Sequence, residues 1–254
     1  MNDERILLLV AIMLPPPALE SLGPVAAEHR VDTPWGAVGL IAERVLADGP
    51  GFLIQPYFGL STRLDPRATV WAARHLGVQR VIGWDAGVAL NPLLHRGDTL
   101  IVEDYLDNTR HQPMTLFEEQ GVSGIEQVPA FCPQIRAALR AALPEAIDGG
   151  VYLAVDGPRR ETIAEARLYR TWGADVIGQN LIPEAALAKE LGLCYAGLVT
   201  VVARAADLPA DAVTGVVRAA QRLVIDALRP IALALATELT CACRQTTTST
   251  PSYG

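Results

Sequence analysis

Short apolar runs and amphipathic segments alternate along the chain. Eight apolar runs bounded by turn residues are typical of buried strands: ILLLVAIML (6–14), AVGLIAERV (37–45), GFLIQPY (51–57), RVIGW (80–84), DTLIVEDYL (98–106), GVYLAVDG (150–157), ADVIG (174–178) and CYAGLVTVVA (194–203). Segments with helical periodicity lie between them: PRATVWAARHLG (66–77), PQIRAALRAAL (133–143), TIAEARLYRTWG (162–173), PEAALAKELG (183–192) and a long one at about 211–239. Strands that alternate with helices predict an α/β fold with a mostly parallel or mixed sheet. With no linker or repeat, we expect one domain over 1–243, followed by a polar, frayed tail at 244–254.

Composition narrows the class of protein. The 254 residues are 50% hydrophobic and 19% charged, which is enough for a substantial core. A net charge of −7 argues against a general nucleic-acid or anionic-membrane binder. The first apolar run is too short to span a membrane, follows Asp3 and Glu4, and lacks the basic n-region of a signal peptide, so we expect a cytoplasmic protein.

The four cysteines lack the spacing of a zinc site. Cys132 and Cys194 have apolar neighbours in the sequence and are expected to be inert core thiols. Cys241 and Cys243 are interpreted as two thiols at a helix end, with a strained disulfide or a metal site as the open alternatives. We therefore expect no metal and no cofactor.

One segment carries a distinctive pattern. It is VDGPRRETIAEARLYRTWGADVIGQNLIPEAALAKELGLCYAGLVTVVA, residues 155–203. Together with VDTPWG (31–36), LNPLLHRGDTLIVEDYLDNTRHQPMTLF (90–117) and VPAFCPQIR (128–136), it resembles the methylthioadenosine phosphorylase branch of the trimeric purine nucleoside phosphorylases. The resemblance covers roughly residues 31–205. It implies a single-domain α/β/α sandwich with a central mixed, partly barrel-like sheet, and a homotrimer with pockets near the interfaces formed by residues 105–133.

The resemblance also implies a reaction in which phosphate attacks the sugar as the purine leaves, but the residues that would hold phosphate differ. The family's Gly-rich turn after the first strand is replaced by LPPPALE (14–20). Gln55 and Pro56 stand near the family's Arg-His pair. Trp84, Asp85 and Ala86 stand where the family has a threonine or asparagine before an alanine at the strand end, so a carboxylate takes the place expected to bind an anion.

The positions that would bind the nucleoside also differ. Arg160 replaces the aromatic residue that stacks on the purine, and the purine-gripping acid is missing near Ala203. The remaining candidate contacts are Gln179 and Asn180 at the ribose, Gln127 where the family has a histidine from a neighbouring subunit, and Asp156 at a strand end. We therefore predict that Trp84, Ala86, Asp156, Arg160, Gln179, Asn180 and Gln127 line a ligand site.

Three functions are compatible with this sequence. The favoured one is a divergent enzyme that acts on a nucleoside or sugar-like molecule without phosphate, with Asp85 as base or nucleophile. The alternatives are a true methylthioadenosine or purine nucleoside phosphorylase and a non-catalytic ligand-binding relative. A structural role for Asp85, paired with Arg63 or Arg67, is the competing interpretation of that residue.

Overall fold

The computed structural model describes residues 5–45, 51–56, 65–118, 124–210 and 213–244. Its eleven described strands form one mixed sheet. They are β1 (Arg5–Val10), β2 (Val25–Thr33), β3 (Gly36–Arg44), β4 (Phe52–Pro56), β5 (Val78–Ala89), β6 (Thr99–Ile101), β7 (Asp104–Asn108), β8 (Ile147–Asp148), β9 (Val151–Val155), β10 (Val176–Gly178) and β11 (Cys194–Arg204).

The helices cover both faces of this sheet. They are α1 (Pro16–Glu20), α2 (Pro66–His75), α3 (Pro133–Ala142), α4 (Ile163–Thr171), α5 (Glu184–Glu190) and α6 (Val216–Leu235), with a 3-10 turn at Ala242–Arg244. One apolar cluster joins α2 and α5 to the sheet. A second joins α3 and α6 to it. The predicted α/β/α arrangement is therefore confirmed. None of the helices in the ranges given above is both long and apolar enough to cross a membrane.

The long strand β5 is the branch point of the sheet. The main order is β2-β3-β4-β1-β5-β10-β9-β7, and β11 adds a second route from β5 to β6 and β8. β5 runs parallel to β1 and β11 but antiparallel to β10. Asp85 lies in the middle of β5, opposite Val199 of β11, where these routes separate. Because β10 is antiparallel to β5 and parallel to β9, the carboxyl ends of β9 and β10 lie beside the middle of β5, where Asp85 is.

The predicted and observed elements differ at several places, which include the unpredicted strand β8 and the continuation of β5 from its predicted end at Trp84 to Ala89. The chain forms β2, which pairs with β3 as an edge hairpin, although its polar residues do not form an apolar run. The predicted strand 98–106 is two strands, β6 and β7, because Val102 donates to the Gly197 carbonyl and Glu103 to the Gly150 carbonyl. The short helix α1 was also not predicted. Of the proposed tail, residues 245–254 lie outside the described residues.

Candidate active site

Asp85 is a buried carboxylate held by five hydrogen bonds. Its Oδ1 accepts from the Ala86 N–H at 2.8 Å and from Asn180 Nδ2 at 2.7 Å. Its Oδ2 accepts from the Tyr152 hydroxyl at 2.7 Å, the Gln179 N–H at 3.1 Å and the Asn180 N–H at 3.2 Å. The side chain is 1% exposed. Because all these groups donate, the arrangement suits an ionised, acceptor-only carboxylate whose lone pairs are already used.

Tyr152 is a site residue that the sequence reasoning missed. It lies on β9, is fully buried, and its hydroxyl also accepts from the backbone N–H groups of Asn180 and Leu181. Burial, followed by the nearby Asp85 charge, raises the pKa of Tyr152 well above its ordinary value. The phenol therefore stays protonated and donates to Asp85. The sequence could not predict this contact, because Tyr152 lies within an apolar strand run and meets Asp85 only through the pairing of β9 with β10.

Gly178 leaves the space that these two side chains occupy. A methyl group at Gly178 would lie 2.3 Å from the Tyr152 ring and 2.5 Å from Asp85 Oδ2. Such distances are well inside van der Waals contact. The turn Gly178-Gln179-Asn180 therefore approaches Asp85 closely enough for two of its backbone N–H groups to donate to the carboxylate.

Trp84 points to the other face of the sheet. It is 0% exposed, it belongs to the apolar cluster around α3 and α6, and its indole N–H donates to Thr200 Oγ1 at 3.0 Å. Successive residues of a strand face opposite sides, so Trp84 and Asp85 cannot line the same pocket. The structure places Trp84 in the core, and its predicted role as a wall of the ligand site is not supported.

No arginine in the described part of the chain pairs with Asp85. Arg67 instead pairs with Asp65 at 2.7 Å and with Glu118 at 3.1 Å. Arg63 lies outside the described residues. The alternative of an Asp85–Arg67 ion pair is therefore wrong, because Arg67 is held at the start of α2 by its own acidic neighbours.

Gln55 is a second polar group buried near this end of the sheet. It is 2% exposed, and its Oε1 has no hydrogen-bond partner among the described residues. A buried acceptor left without a donor costs about 1–3 kcal/mol. It is therefore available to accept a hydrogen bond from a bound molecule.

Asp156 lies in a separate cavity at the ends of β7 and β9. It accepts from the Arg110 N–H at 2.7 Å and from Gln112 Nε2 at 3.3 Å. The cavity has a volume of about 320 Å³ and includes Arg110, His111, Arg159 and Glu165 in its lining. Asp156 therefore lies in a polar cavity, with its carboxylate already bound by protein donors.

Arg160 reaches the end of β11. Its Nη2 donates to Glu161 Oε1 at 2.9 Å and to the Arg204 carbonyl at 3.0 Å, while 53% of its side chain is exposed. Another cavity of about 340 Å³ is lined by residues 202–206, with Arg96 and Leu208. Arg160 thus forms the expected ion pair with Glu161, whose own side chain is buried, and also touches the strand end where the resemblance places the purine.

Gln127 lies apart from the Asp85 cluster. Its Oε1 accepts from the Tyr105 hydroxyl at 3.1 Å and its Nε2 donates to the Ile125 carbonyl at 3.2 Å. Burial, followed by Asp107 and Asp104, raises the pKa of Tyr105 to about 12, so this phenol also remains a donor. Of the predicted residues, the structure joins Asp85, Ala86, Gln179 and Asn180. Within the described ranges, no hydrogen bond connects Asp85 to Asp156, Arg160 or Gln127.

Comparison with known proteins agrees with this architecture. Residues 10–235 match the family model described as "Phosphorylase superfamily". The chain is 36% identical over 183 residues to a probable S-methyl-5'-thioinosine phosphorylase of Methanothermobacter thermautotrophicus, covering 70% of this chain and 65% of that relative. It is 35% identical over 207 residues to a 6-oxopurine nucleoside phosphorylase of Pyrococcus furiosus, covering 74% and 76% of the two chains.

Solved structures share the fold at lower identity. A methylthioadenosine phosphorylase from an antarctic soil metagenomic library superposes with a TM-score of 0.82 at 23% identity, covering 98% of this chain and 92% of that one. Methylthioadenosine phosphorylase from Schistosoma mansoni, in complex with tubercidin, gives a TM-score of 0.80 at 21% identity over 92% of both chains. With a family match spanning most of its length and relatives of this identity, the chain belongs to the phosphorylase superfamily and is an enzyme of that family.

Proposed function

We propose that this enzyme cleaves or rearranges a nucleoside-type substrate without using phosphate, with water as the simplest acceptor of the sugar. The observation that carries this proposal is the Asp85 carboxylate with its five donors. By resemblance, Asp85 and Asn180 stand at positions near which the family binds phosphate and ribose. In this chain, the hydrogen-bond donors of that region already bind the Asp85 carboxylate.

Two physical terms oppose phosphate binding beside Asp85. First, the N–H groups of Ala86, Gln179 and Asn180 are all used by the carboxylate. Second, two unit charges about 4 Å apart repel by about 4 kcal/mol at an effective dielectric constant of about 20. That repulsion corresponds to roughly a thousandfold loss of affinity. Phosphate is therefore disfavoured beside Asp85 for two reasons: the backbone N–H groups are already occupied, and the carboxylate repels the phosphate charge.

A neutral nucleophile avoids both penalties. In hydrolysis, a water oxygen bonds to the anomeric carbon, the glycosidic bond breaks, its electrons pass to the base, and the water proton is accepted by a basic group. We propose Asp85 as that acceptor, which requires a substrate-bound water to replace one of its five hydrogen bonds. Tyr152, protonated at neutral pH, would remain to orient the carboxylate.

The substrate contacts that we propose come from the polar groups around this carboxylate. Half-buried Gln179 and the buried Asn180 amide would meet sugar hydroxyls, and Gln55 Oε1 is a further acceptor for one. Arg160, at the end of β11, would meet the base. Asp156 and Gln127 would contribute once three chains assemble, since we also propose the homotrimer that the resemblance implies.

Product analysis tests this function directly. The chain is incubated with methylthioadenosine, methylthioinosine and inosine in phosphate-free buffer made with ¹⁸O-water, and the sugar product is identified by mass spectrometry. We expect free sugar that carries one ¹⁸O, and at least tenfold less of it from Asp85→Asn. Asp226→Asn, which removes an exposed carboxylate on α6, is the matched control and should retain activity.

A phosphorylase remains the second candidate because curated relatives 35–36% identical to the chain carry that description. It predicts sugar 1-phosphate as the product and no release of base without phosphate. Formation of sugar 1-phosphate at a turnover of 1 per second or more, on the order of ordinary enzymes, would establish it and reject the phosphate-free reaction.

A further inference from the structure

All four cysteines of the chain meet at one place. The Sγ atoms of Cys132, Cys194, Cys241 and Cys243 lie within 4.8 Å of one another, and Cys194 Sγ is 3.3 Å from Cys241 Sγ. Cys132 and Cys194 are 2% and 0% exposed, whereas the other two are half-buried. From the sequence alone, Cys132 and Cys194 are expected to be inert core thiols, and Cys241 and Cys243 to be two thiols at a helix end. The structure corrects that expectation, because it combines them into one cluster.

Regular structure fixes the first two thiols. Cys132 precedes the first residue of α3, and its backbone N–H donates to the Tyr195 carbonyl at 2.7 Å. Cys194 is the first residue of β11. The hydrogen bond joins the start of α3 to the start of β11, so the two thiols are held side by side before any contact with the C-terminal segment.

Three hydrogen bonds dock the segment that brings the other two thiols. The Thr237 carbonyl accepts from Arg80 Nη2 at 2.7 Å, and the Glu238 carbonyl accepts from Gln134 Nε2 at 2.9 Å. The Thr240 N–H donates to Gln134 Oε1 at 3.1 Å. The chain then enters the 3-10 turn Ala242–Arg244. This docking places Cys241 and Cys243 over the buried pair.

We propose that the four thiolates form a structural zinc site. Tetrahedral zinc with Zn–S bonds of about 2.3 Å requires S···S separations of about 3.8 Å. Sulfur atoms that already lie within 4.8 Å of one another need to move by only about 1 Å. All four coordination positions come from the protein, which is typical of a structural rather than a catalytic zinc.

The surroundings suit a zinc tetrathiolate. Such a centre carries a net charge of about −2, and the thiolates select soft cations over magnesium or calcium. Buried Arg80 pairs in register with Cys194 across β5 and β11. The apolar cluster that joins α3, α6 and β11 packs around the thiols. The site therefore combines a soft ligand set, nearby positive charge and an apolar surrounding shell.

The sequence alone did not predict this site because its ligands are not arranged in the usual way. Zinc ligands commonly come in pairs spaced C-x₂₋₄-C. Here Cys241 and Cys243 are separated by one residue, and the other two ligands are distant from each other in sequence. They come together only because the start of α3 is hydrogen-bonded to the start of β11 and because the C-terminal segment docks over both.

Metal analysis of the full chain tests the proposal. The chain is purified under reducing conditions without chelator, and its zinc content is measured by elemental analysis and native mass spectrometry. We expect one zinc per chain, and a cobalt-reconstituted chain with the visible absorption and thiolate-to-cobalt charge transfer of a tetrahedral tetrathiolate. The cobalt spectrum is measured on the unaltered chain, so it does not depend on any variant folding.

Variants then locate the metal. Cys241→Ser and Cys243→Ser, singly and together, are expected to weaken zinc binding at least a hundredfold, whereas Glu238→Gln, in the same segment, should bind as the parent does. The proposal is overturned if the chain is isolated with two disulfides and takes up no zinc once they are reduced. It is also overturned if the reduced chain holds less than about 0.1 zinc, or if the double serine variant binds zinc as tightly as the parent.

Discussion

Asp85 shows how one side chain can replace a ligand. Its two oxygens accept from three backbone N–H groups, a phenol and an amide, which are the kinds of donors that proteins use for bound oxyanions. Tyr152 and Gly178 complete the arrangement: one supplies a donor and the other leaves room for it. The Asp85 carboxylate therefore has two effects at once: it places a negative charge in the site, and it occupies the donors that could otherwise bind an anion.

Removal of the Tyr152 hydroxyl should weaken this network. Tyr152→Phe leaves Asp85 without one of its two closest donors, and we expect the free energy of unfolding to fall by about 1.5–3 kcal/mol, as for other hydrogen bonds to charged groups. Urea denaturation measures it. Tyr105→Phe is the matched control, because its half-buried hydroxyl meets a neutral amide and should contribute only about 0.5–1.5 kcal/mol.

A double-mutant cycle separates coupling from simple loss of packing. Combined with Asp85→Asn, Tyr152→Phe should show an interaction energy of about 0.5–3 kcal/mol. Additive effects within about 0.5 kcal/mol would show that the phenol does not act through Asp85.

A methyl group at Gly178 should be poorly tolerated. Gly178→Ala would place its Cβ 2.3 Å from the Tyr152 ring, so the ring or the carboxylate must move. We expect a loss of about 1–3 kcal/mol, typical of overpacking, together with a fall in activity. Gly124→Ala is the control, since a Cβ there meets nothing within 4 Å. Equal stability of the two variants in thermal denaturation would contradict the close approach.

At the scale of elements, α4 depends on a carboxylate at its start. Thr162 and Glu165 form a capping box, and Arg159 pairs with Glu165 at 2.6 Å. The Arg159 hydrogen bond, followed by the Thr162 N–H, lowers the pKa of Glu165 to about 2. Because the folded-state pKa is lowered from an unfolded value of about 4.3, its stabilisation is complete above about pH 5 and is lost as the pH falls towards 2.

Glu165→Gln should therefore lower the melting temperature at pH 7 but not near pH 2. Melting curves across this range, with Glu145→Gln as a control for the loss of one exposed carboxylate, measure the difference. A gap between parent and variant that stays constant with pH would show that the charge of Glu165 is not the cause.

The elements also show what the sequence can and cannot predict. β1, β4 and β9 were predictable because strands buried between neighbours are continuous apolar runs. The helices α2, α4 and α5 were predictable from their periodicity and from the glycines that follow them, Gly77, Gly173 and Gly192, all with positive φ. Edge strand β2 was missed because it carries Glu28, His29 and Arg30 on partly exposed backbone.

The whole molecule determines which site residues meet. Asp85, Gln179 and Asn180 were identified from their positions in the chain, and the branch at β5 joins them. Tyr152 could not be identified, because its contact depends on the neighbouring strand β10. Trp84 was assigned to the pocket although strand alternation turns it into the core. Sequence position therefore identified the residues that meet Asp85 on the β10 turn, but not that β5 continues past Asp85 to Ala89, nor which side chains share a face of the sheet.

The predicted homotrimer can be tested through exposed apolar residues. Met114 and Val128, which lie within the predicted interface segment 105–133, are 70% and 77% exposed in the single chain. Met114→Arg and Val128→Arg should convert a trimer to monomers in multi-angle light scattering, because the arginines would be buried on assembly. Leu233→Arg, an exposed site on α6, should remain trimeric. A parent chain that is monomeric would contradict the assembly.

If Asp85 fills the anion site, inorganic phosphate cannot bind there, and its binding can be measured. Isothermal titration calorimetry of the parent chain, with and without methylthioadenosine, should show no saturable phosphate binding up to millimolar concentrations. Two like charges at this distance weaken affinity roughly a thousandfold, so binding in the micromolar range is not expected. Saturable binding of one phosphate per chain with a micromolar Kd would show that Asp85 does not close the anion site, and would favour phosphorolysis as the reaction.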